Sequence, residues 1–392
     1  MEASHAKRPR IGSDTNGAGA ASGIQLVAER TVALPPDIGL PSAIATWVPA
    51  GTGGSGVLVI GTCTGGIALM HDGGDTTVLE TPGGAAIQAL LAKAPGASAD
   101  GADTKPVPEV VAGDADGHVT VYTLGRRFSR ITLPAPVSAL AADSNPNAPS
   151  SFLVGDMGGA VASCHAQETI WRAHIDALPA AASLRAPRTA GLSDPMVTGV
   201  CSVWQPDKHG LLTNYVLVAS GHGHIQLLTR GMPVHTIPLA CPCTSLCPGV
   251  FISRGQDGDD RRLGSGAVQA VLGDEAGRLF VLDNFELVPY AQLDHPIVRV
   301  AALPLQSREG AGVDAVVCQT SSDTVYVLHG GRTVATYTAG FWPAAVGVAP
   351  DFGGAGPVLA VADPGEPTDS GSGGSSSIHI VPLRPLLDSI GL

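Results

Sequence analysis

Charge and aromatic rings are both scarce in this chain. Only 14% of its 392 residues are Asp, Glu, Lys or Arg, and 4% are Phe, Trp or Tyr. No long Leu/Glu/Lys-rich amphipathic segment runs through the body of the sequence, so helix is expected to be minor. No stretch of about 18 apolar residues is present either, so no membrane insertion is expected. The opening "MEASHAKRPRIG" lacks the apolar core of a secretory signal. Seven cysteines, odd in number and scattered, fit a reducing compartment better than a disulfide framework. Basic residues are the minority sign, 22 Lys+Arg against 34 Asp+Glu, for a formal net charge of -12. Affinity for a phosphate backbone is built from Lys and Arg, so direct nucleic-acid binding is not expected. Together these absences describe an intracellular, cytoplasmic protein whose partners are neither nucleic acid nor bilayer.

What the chain has in quantity is turn chemistry, with 51 Gly and 31 Pro. The stretch "PEVVAGDADGHVTVYTLG", from Pro108 to Gly125, shows how it is used. A β-branched run meets a Gly-Asp-rich turn, and a second run then alternates apolar with polar, which is the signature of a hairpin. The same layout returns in "VLVIGTCTGGIALM", "SFLVGDMGGAVASC", "VLVASGHGHIQLL" and "VQAVLGDEAGRLFVL", and more loosely in "DAVVCQTSSDTVYVL". A last copy, "VLAVAD" with "SIHIVPL", is split by the insert "PGEPTDSGSGGSSS". The sharp turns are placed at Gly61, Gly113, Gly155, Ala219, Gly273, Gln319 and Ala362.

Each hairpin is flanked by a small, apolar run upstream, such as "SAIATWV" or "VRVAALPL", and by another run downstream, such as "RFSRITLP". The unit is therefore four strands, and seven units make an all-β, single seven-bladed β-propeller. The seventh unit lacks its fourth strand, and "GIQLVAERTVAL" near the N-terminus is a strand without a unit. Placing it there closes the ring and hides the sheet edges. Residues 1–22 read as a disordered tail, 23–385 as the propeller and 386–392 as a short C-terminal tail.

The hairpin "VVAGDADGHVTVY" resembles the middle hairpin of WD40-type blades, although no unit carries Trp-Asp or an opening Gly-His. Other units resemble the FG-GAP type of integrin α-subunit heads and several intracellular scaffolds. In "ALAADSNPNAPSSFLVGD", Asp143, Asn145 and Asn147 follow the first strand, and Asp207 and Asp351 sit similarly. In style these units look most like the intracellular propellers of the Bardet–Biedl ciliary coat and the KICSTOR nutrient-sensing scaffold. That resemblance implies an assembly module rather than an enzyme, and adds the cilium as a compartment.

Four kinds of chemistry are weighed on the residues. Calcium wants six to eight oxygens; Asp143, Asn145 and Asn147 begin such a set, but Ser151 stands where the next carboxylate is due. Asp114 and Asp116 flank a turn, and Asp257 to Asp260 are flanked by arginines, so turn chemistry explains all three. Zinc is suggested by Cys241, Cys243 and Cys247 with His235, but strand alternation puts residues four apart on one face and well separated, favouring a buried apolar role. Catalysis would need at least two positioned titratable groups. The innermost strands hold only Lys93, Asp143 and Arg299, while His222 and His224 read as a solvated turn. Nucleic acid is weakly suggested by "GRRFSR" and by the basic run Lys7 to Arg10, the latter a candidate nuclear address.

No catalytic, cofactor or metal residue is therefore assigned and no cofactor expected. The four tryptophans, Trp47, Trp171, Trp204 and Trp342, fall in strands or strand ends and read as core before contact surface. The expected function is a non-catalytic protein-interaction scaffold, a β-propeller subunit or adaptor bound to other proteins of a multisubunit complex. The alternatives are a metal-dependent propeller enzyme or ligand sensor, and a nuclear adaptor. Contacts are expected at the channel mouth and at three long Gly/Ala/Pro-rich inserts.

Overall fold

The computed structural model describes residues 24–49, 56–72, 74–94, 107–145, 148, 150–166, 168–175, 196–207, 209–252, 268–307, 310–311, 313–352, 356–365 and 376–389. Seven four-stranded sheets stand in a ring, making a seven-bladed β-propeller. Each blade runs from an innermost strand at the channel to an outermost strand at the rim, every neighbour antiparallel. The innermost strands are Pro41–Trp47, Ile87–Lys93, Val137–Ala142, Val197–Pro206, Cys243–Gly249, Ile297–Leu303 and Ala345–Ala349, which number the blades from 1 to 7.

Antiparallel order fixes two faces. Hairpin turns between second and third strands, and the connections between blades, lie on one face, called here the turn face. Loops between first and second strands lie on the other, the loop face. Of the three long inserts, residues 95–106 of "KAPGASADGADTKPVP" and all of "LPAAASLRAPRTAGLSDP" and "SRGQDGDDRRLGSG" lie outside the described residues, as does most of the split in blade 7.

The seventh blade is completed as expected: Arg30–Ala33 pairs antiparallel with Ser377–Pro382 as its outermost strand. Just before it, Ile24–Gln25 pairs parallel with Arg332–Thr338, the outermost strand of blade 6. One N-terminal segment thus ties two blades together, a feature the single-strand reading did not contain. At the other end, Arg384–Ser389 is a short helix whose Leu386 is buried in the core between blades 6 and 7.

The core is seven apolar layers, each between two neighbouring blades. Six innermost strands begin with the same irregularity, a one-residue bulge at Ser42, Gln88, Ser138, Thr198, Thr244 and Val298. A bulge reverses which face the following side chains take. It overturns the expected placing of Cys243 and Cys247 on one face: with Thr244 bulged, Cys243 enters the layer between blades 4 and 5, and Cys247 the layer between blades 5 and 6.

The recurrent Gly61, Gly113, Gly155 and Gly273 also prove to have a different role. None has positive φ; the left-handed turn positions are Gly65, Gly117, Gly159 and Gly277, four residues further on, as Gly223 is from Ala219. The first set lies inside the second strands, and a Cβ there would come within 2.3–2.6 Å of a side chain of the next blade. The neighbours are Ile87, Val137, Val197 and Ile297, the first residues of the following innermost strands. Each glycine makes room for a branched side chain, which is how one blade seats on the next. At Ala219 the slot is smaller and its occupant is Cys243.

Candidate functional site

The channel is lined by innermost strands of all seven blades and encloses a volume of ≈ 900 Å³. Its hydroxyl groups are already used. Ser42 donates to the Ile87 carbonyl at 2.7 Å, Thr244 to the Ile297 carbonyl at 2.7 Å, and Thr198 to the Cys243 carbonyl at 2.5 Å. These three hydroxyls stitch their blades to the next, the fourth, Ser138, donates to the Gly155 carbonyl of its own blade at 3.2 Å, and none is free for a ligand.

Of the three charged residues expected on the innermost strands, two are satisfied within the fold. Lys93 pairs with Glu109 at 2.7 Å, donates to the Ser150 carbonyl and lies over the Phe152 ring. Asp143 accepts from Ser163 Oγ at 2.7 Å, from the Asn145 amide at 3.1 Å and from Asn214 Nδ2 at 3.4 Å. It is the hub of a polar network joining blades 3 and 4, in which Ser202 bonds Ser144 and Asn214. Arg299 is the third. It is the only charged side chain among the described residues lining the channel, and it makes no hydrogen bond or ion pair there. The channel walls desolvate its guanidinium and lower its pKa from the ordinary value, with no carboxylate acting against that.

Arg299 breaks the repeat. In blades 1 to 5 the residue after the bulge is Ala43, Ala89, Ala139, Gly199 or Ser245, and its cross-strand partner is Gly61, Gly113, Gly155, Ala219 or Gly273. In blade 6 the pair is Arg299 and Gln319, both large and polar. The bulged residue there is Val298, which has no hydroxyl and is 47% exposed. Gln319 takes over the lost stitch, its Nε2 donating to the Pro343 carbonyl at 2.7 Å.

The residue before Pro343 is Trp342, 72% exposed. The sequence placed it at a strand end and in the core; it instead occupies the connection from blade 6 to blade 7 on the turn face. The other three tryptophans are buried or half-buried, as expected. Phe341 holds the connection, packing edge-to-face on His379 with ring centroids 4.9 Å apart. His379 in turn shares a 2.8 Å hydrogen bond with the Tyr337 hydroxyl. The exposed indole and the guanidinium, which has no partner among the described residues, are thus connected through Gln319, which pairs across the strand with Arg299 and bonds the residue after Trp342, at the junction of blades 6 and 7.

The remaining sequence candidates do not converge. Asp114, Asp156 and Asp274 each accept two backbone N–H groups of their own hairpin turn at 2.8–3.0 Å, which accounts for the Gly-Asp motif. Asp207 and Asp351 likewise cap their own loops. Asn147, Asp257 to Asp260 and Lys7 to Arg10 lie outside the described residues. Among those described, no three His, Cys, Asp or Glu side chains gather as for a metal. His235 lies exposed on an outermost strand, and burial pushes the Cys243 and Cys247 thiols up to about 12. "GRRFSR" forms most of the outermost strand Arg126–Thr132, the downstream run expected of "RFSRITLP", with Phe128 at the surface. His222 sits on a turn as read, but His224 is fully buried, and neither of its ring nitrogens has a hydrogen-bond partner.

No protein-family model matches the chain, and no curated protein matches it in sequence. Solved structures match it in fold. Two crystal structures of BBS1N in complex with ARL6DN, one soaked with mercury and one with lead, are each 13% identical with a TM-score of 0.60. The match covers 91% of this chain and 97% and 98% of those chains. At that identity the likeness shows a shared fold. No helix among the described residues is long and apolar enough to cross a membrane.

Proposed function

We propose that this propeller is a non-catalytic protein-interaction subunit of a larger intracellular assembly. The observation that carries the reading is the junction of blades 6 and 7, where the blade connection displays Trp342 to solvent and the innermost strand of blade 6 presents Arg299 to the channel. Trp and Arg dominate the energetics of protein interfaces, because one offers a large rigid apolar face and the other a planar fork of donors. Repeat packing has been given up there, and the places where a fold breaks its own local rules are where function is expected. Acid–base chemistry needs a second positioned titratable group, and the described channel lining offers one charged side chain. The likeness to BBS1N, crystallised in complex with ARL6DN, agrees with a propeller used for binding.

The test is a mild affinity purification of the tagged full-length chain from its own cells, followed by size-exclusion chromatography. A fixed set of co-purifying proteins at high mass is expected. A monomer eluting without companions contradicts the reading.

A further inference from the structure

Resting on that reading, we propose that the channel mouth between blades 6 and 7 binds an acidic peptide segment of the partner, pairing one carboxylate with Arg299 while a flanking apolar side chain packs on Trp342. A guanidinium set in the channel with no partner among the described residues has lost part of its hydration, and a carboxylate meeting its fork with paired hydrogen bonds restores what was lost. Nothing in the described protein does so. The channel hydroxyls donate to main-chain carbonyls, and Gln319, the cross-strand neighbour of Arg299, is committed to Pro343.

Three observations select a peptide carboxylate over other anions. The site offers one cation, which matches a monoanion rather than a polyphosphate chain. The net charge of -12 opposes the dense charge of nucleic acid and anionic membrane surfaces far more than a segment with a single carboxylate. Trp342 and Val298 are both exposed at the turn-face end of the same junction, so a ligand reaching Arg299 there carries apolar surface as well as its charge. The channel volume of ≈ 900 Å³ accommodates an entering side chain with adjoining backbone. Blades 1 to 5 offer no comparable site, because their residues equivalent to Arg299 are Ala, Gly or Ser.

The experiment uses two fluorescent octapeptide pools titrated with full-length protein, alike except that a fixed Leu–Glu pair in one is Leu–Gln in the other. The acidic pool should bind about tenfold or more tightly than the amide pool. Arg299→Ser should abolish that preference, and Trp342→Ala should weaken the acidic pool without abolishing it. Melting temperatures near that of the wild type confirm that both variants fold, as the small residues at equivalent positions lead one to expect. Equal binding of the two pools, or of neither, overturns the proposal, as does unchanged preference in Arg299→Ser. Binding only to phosphoinositide-containing vesicles overturns it in favour of a membrane. Co-purification separates this failure from that of the general reading. Partners retained equally by wild type, Arg299→Ser and Trp342→Ala remove the site and leave the interaction subunit standing, whereas a wild type without partners removes the subunit itself.

Discussion

Blades 5 and 6 are adjacent and share one architecture, and three of the positions at which they differ lie together at the bulge. Blade 5 has Thr244, Ser245 and Gly273 where blade 6 has Val298, Arg299 and Gln319. In blade 5, Thr244 stitches to blade 6, Ser245 accepts from the Val300 amide at 3.1 Å, and Gly273 receives Ile297. Every group is spent on holding the ring together. In blade 6 the stitch survives through Gln319, but Arg299 contributes nothing to the ring. A repeat fold supplies its own control: a residue that departs from its equivalents and satisfies no neighbour among the described residues is the one whose role outside the chain is worth testing.

The largest effects are expected where blade 5 is used structurally. Ile297→Ala empties the slot over Gly273 and should lower unfolding free energy by about 2–5 kcal/mol in urea denaturation. Gly273→Ala should cost about 1–3 kcal/mol by overfilling the same slot. Adding Ile297→Cys to Gly273→Ala copies the natural Ala219–Cys243 pairing and should recover part of that loss. Failure of the double variant to improve on the worse single one would break the account of how blades seat.

A middle tier compares two turn carboxylates. Asp274 bonds two turn amides and pairs with Arg278 at 2.6 Å, so Asp274→Asn should cost about 1.5–3 kcal/mol. Asp156 bonds two amides through Oδ1, but its Oδ2 is buried without a partner, and burial raises its pKa. Its folded form binds the proton more readily than the unfolded chain, so its contribution to stability falls as pH rises through the carboxylate range. Asp156→Asn should therefore be within about 0.5 kcal/mol of neutral at pH 7. Equal losses in the two asparagine variants would contradict the distinction.

His224 should give a smaller, pH-dependent effect. Burial, reinforced by His222, lowers its pKa below the ordinary histidine value. Below about pH 6.5 the unfolded chain takes up a proton that the folded one resists, so stability falls as pH drops from about 7 to 5. Chemical denaturation across that range should show a shallower acid decline in His224→Phe than in wild type. Identical slopes would show that the ring is not kept neutral by burial.

Much of this fold is written in local chemistry. Alternation in runs such as "VTVY" and the Gly-Asp turns gave the hairpins, their number gave seven blades, and the spare N-terminal strand gave the closure. What stayed hidden depends on pairing between distant strands. The bulge that sends Cys243 and Cys247 to opposite layers is visible only in register, and Gly61 reads as a turn residue until Ile87 is seen against it. The candidate site was half legible. Arg299 stood out as one of three charges on the innermost strands, but only contacts separate it from Lys93 and Asp143. Trp342 was assigned to the core because "FWPAAVGVAP" continues into a strand, and its exposure follows from the blade connection that "AGFWP" makes. Aligning the seven units residue by residue would have shown Arg299 opposite Gln319, where small residues recur.

The most direct test of the account is a paired measurement on one variant, Arg299→Ser, which gives blade 6 the residue of blade 5. Thermal unfolding and co-purified partners are read from the same preparation of full-length protein. The account predicts a melting temperature equal to or above that of the wild type together with loss of a partner. A lowered melting temperature with all partners retained would show that Arg299 serves the ring after all.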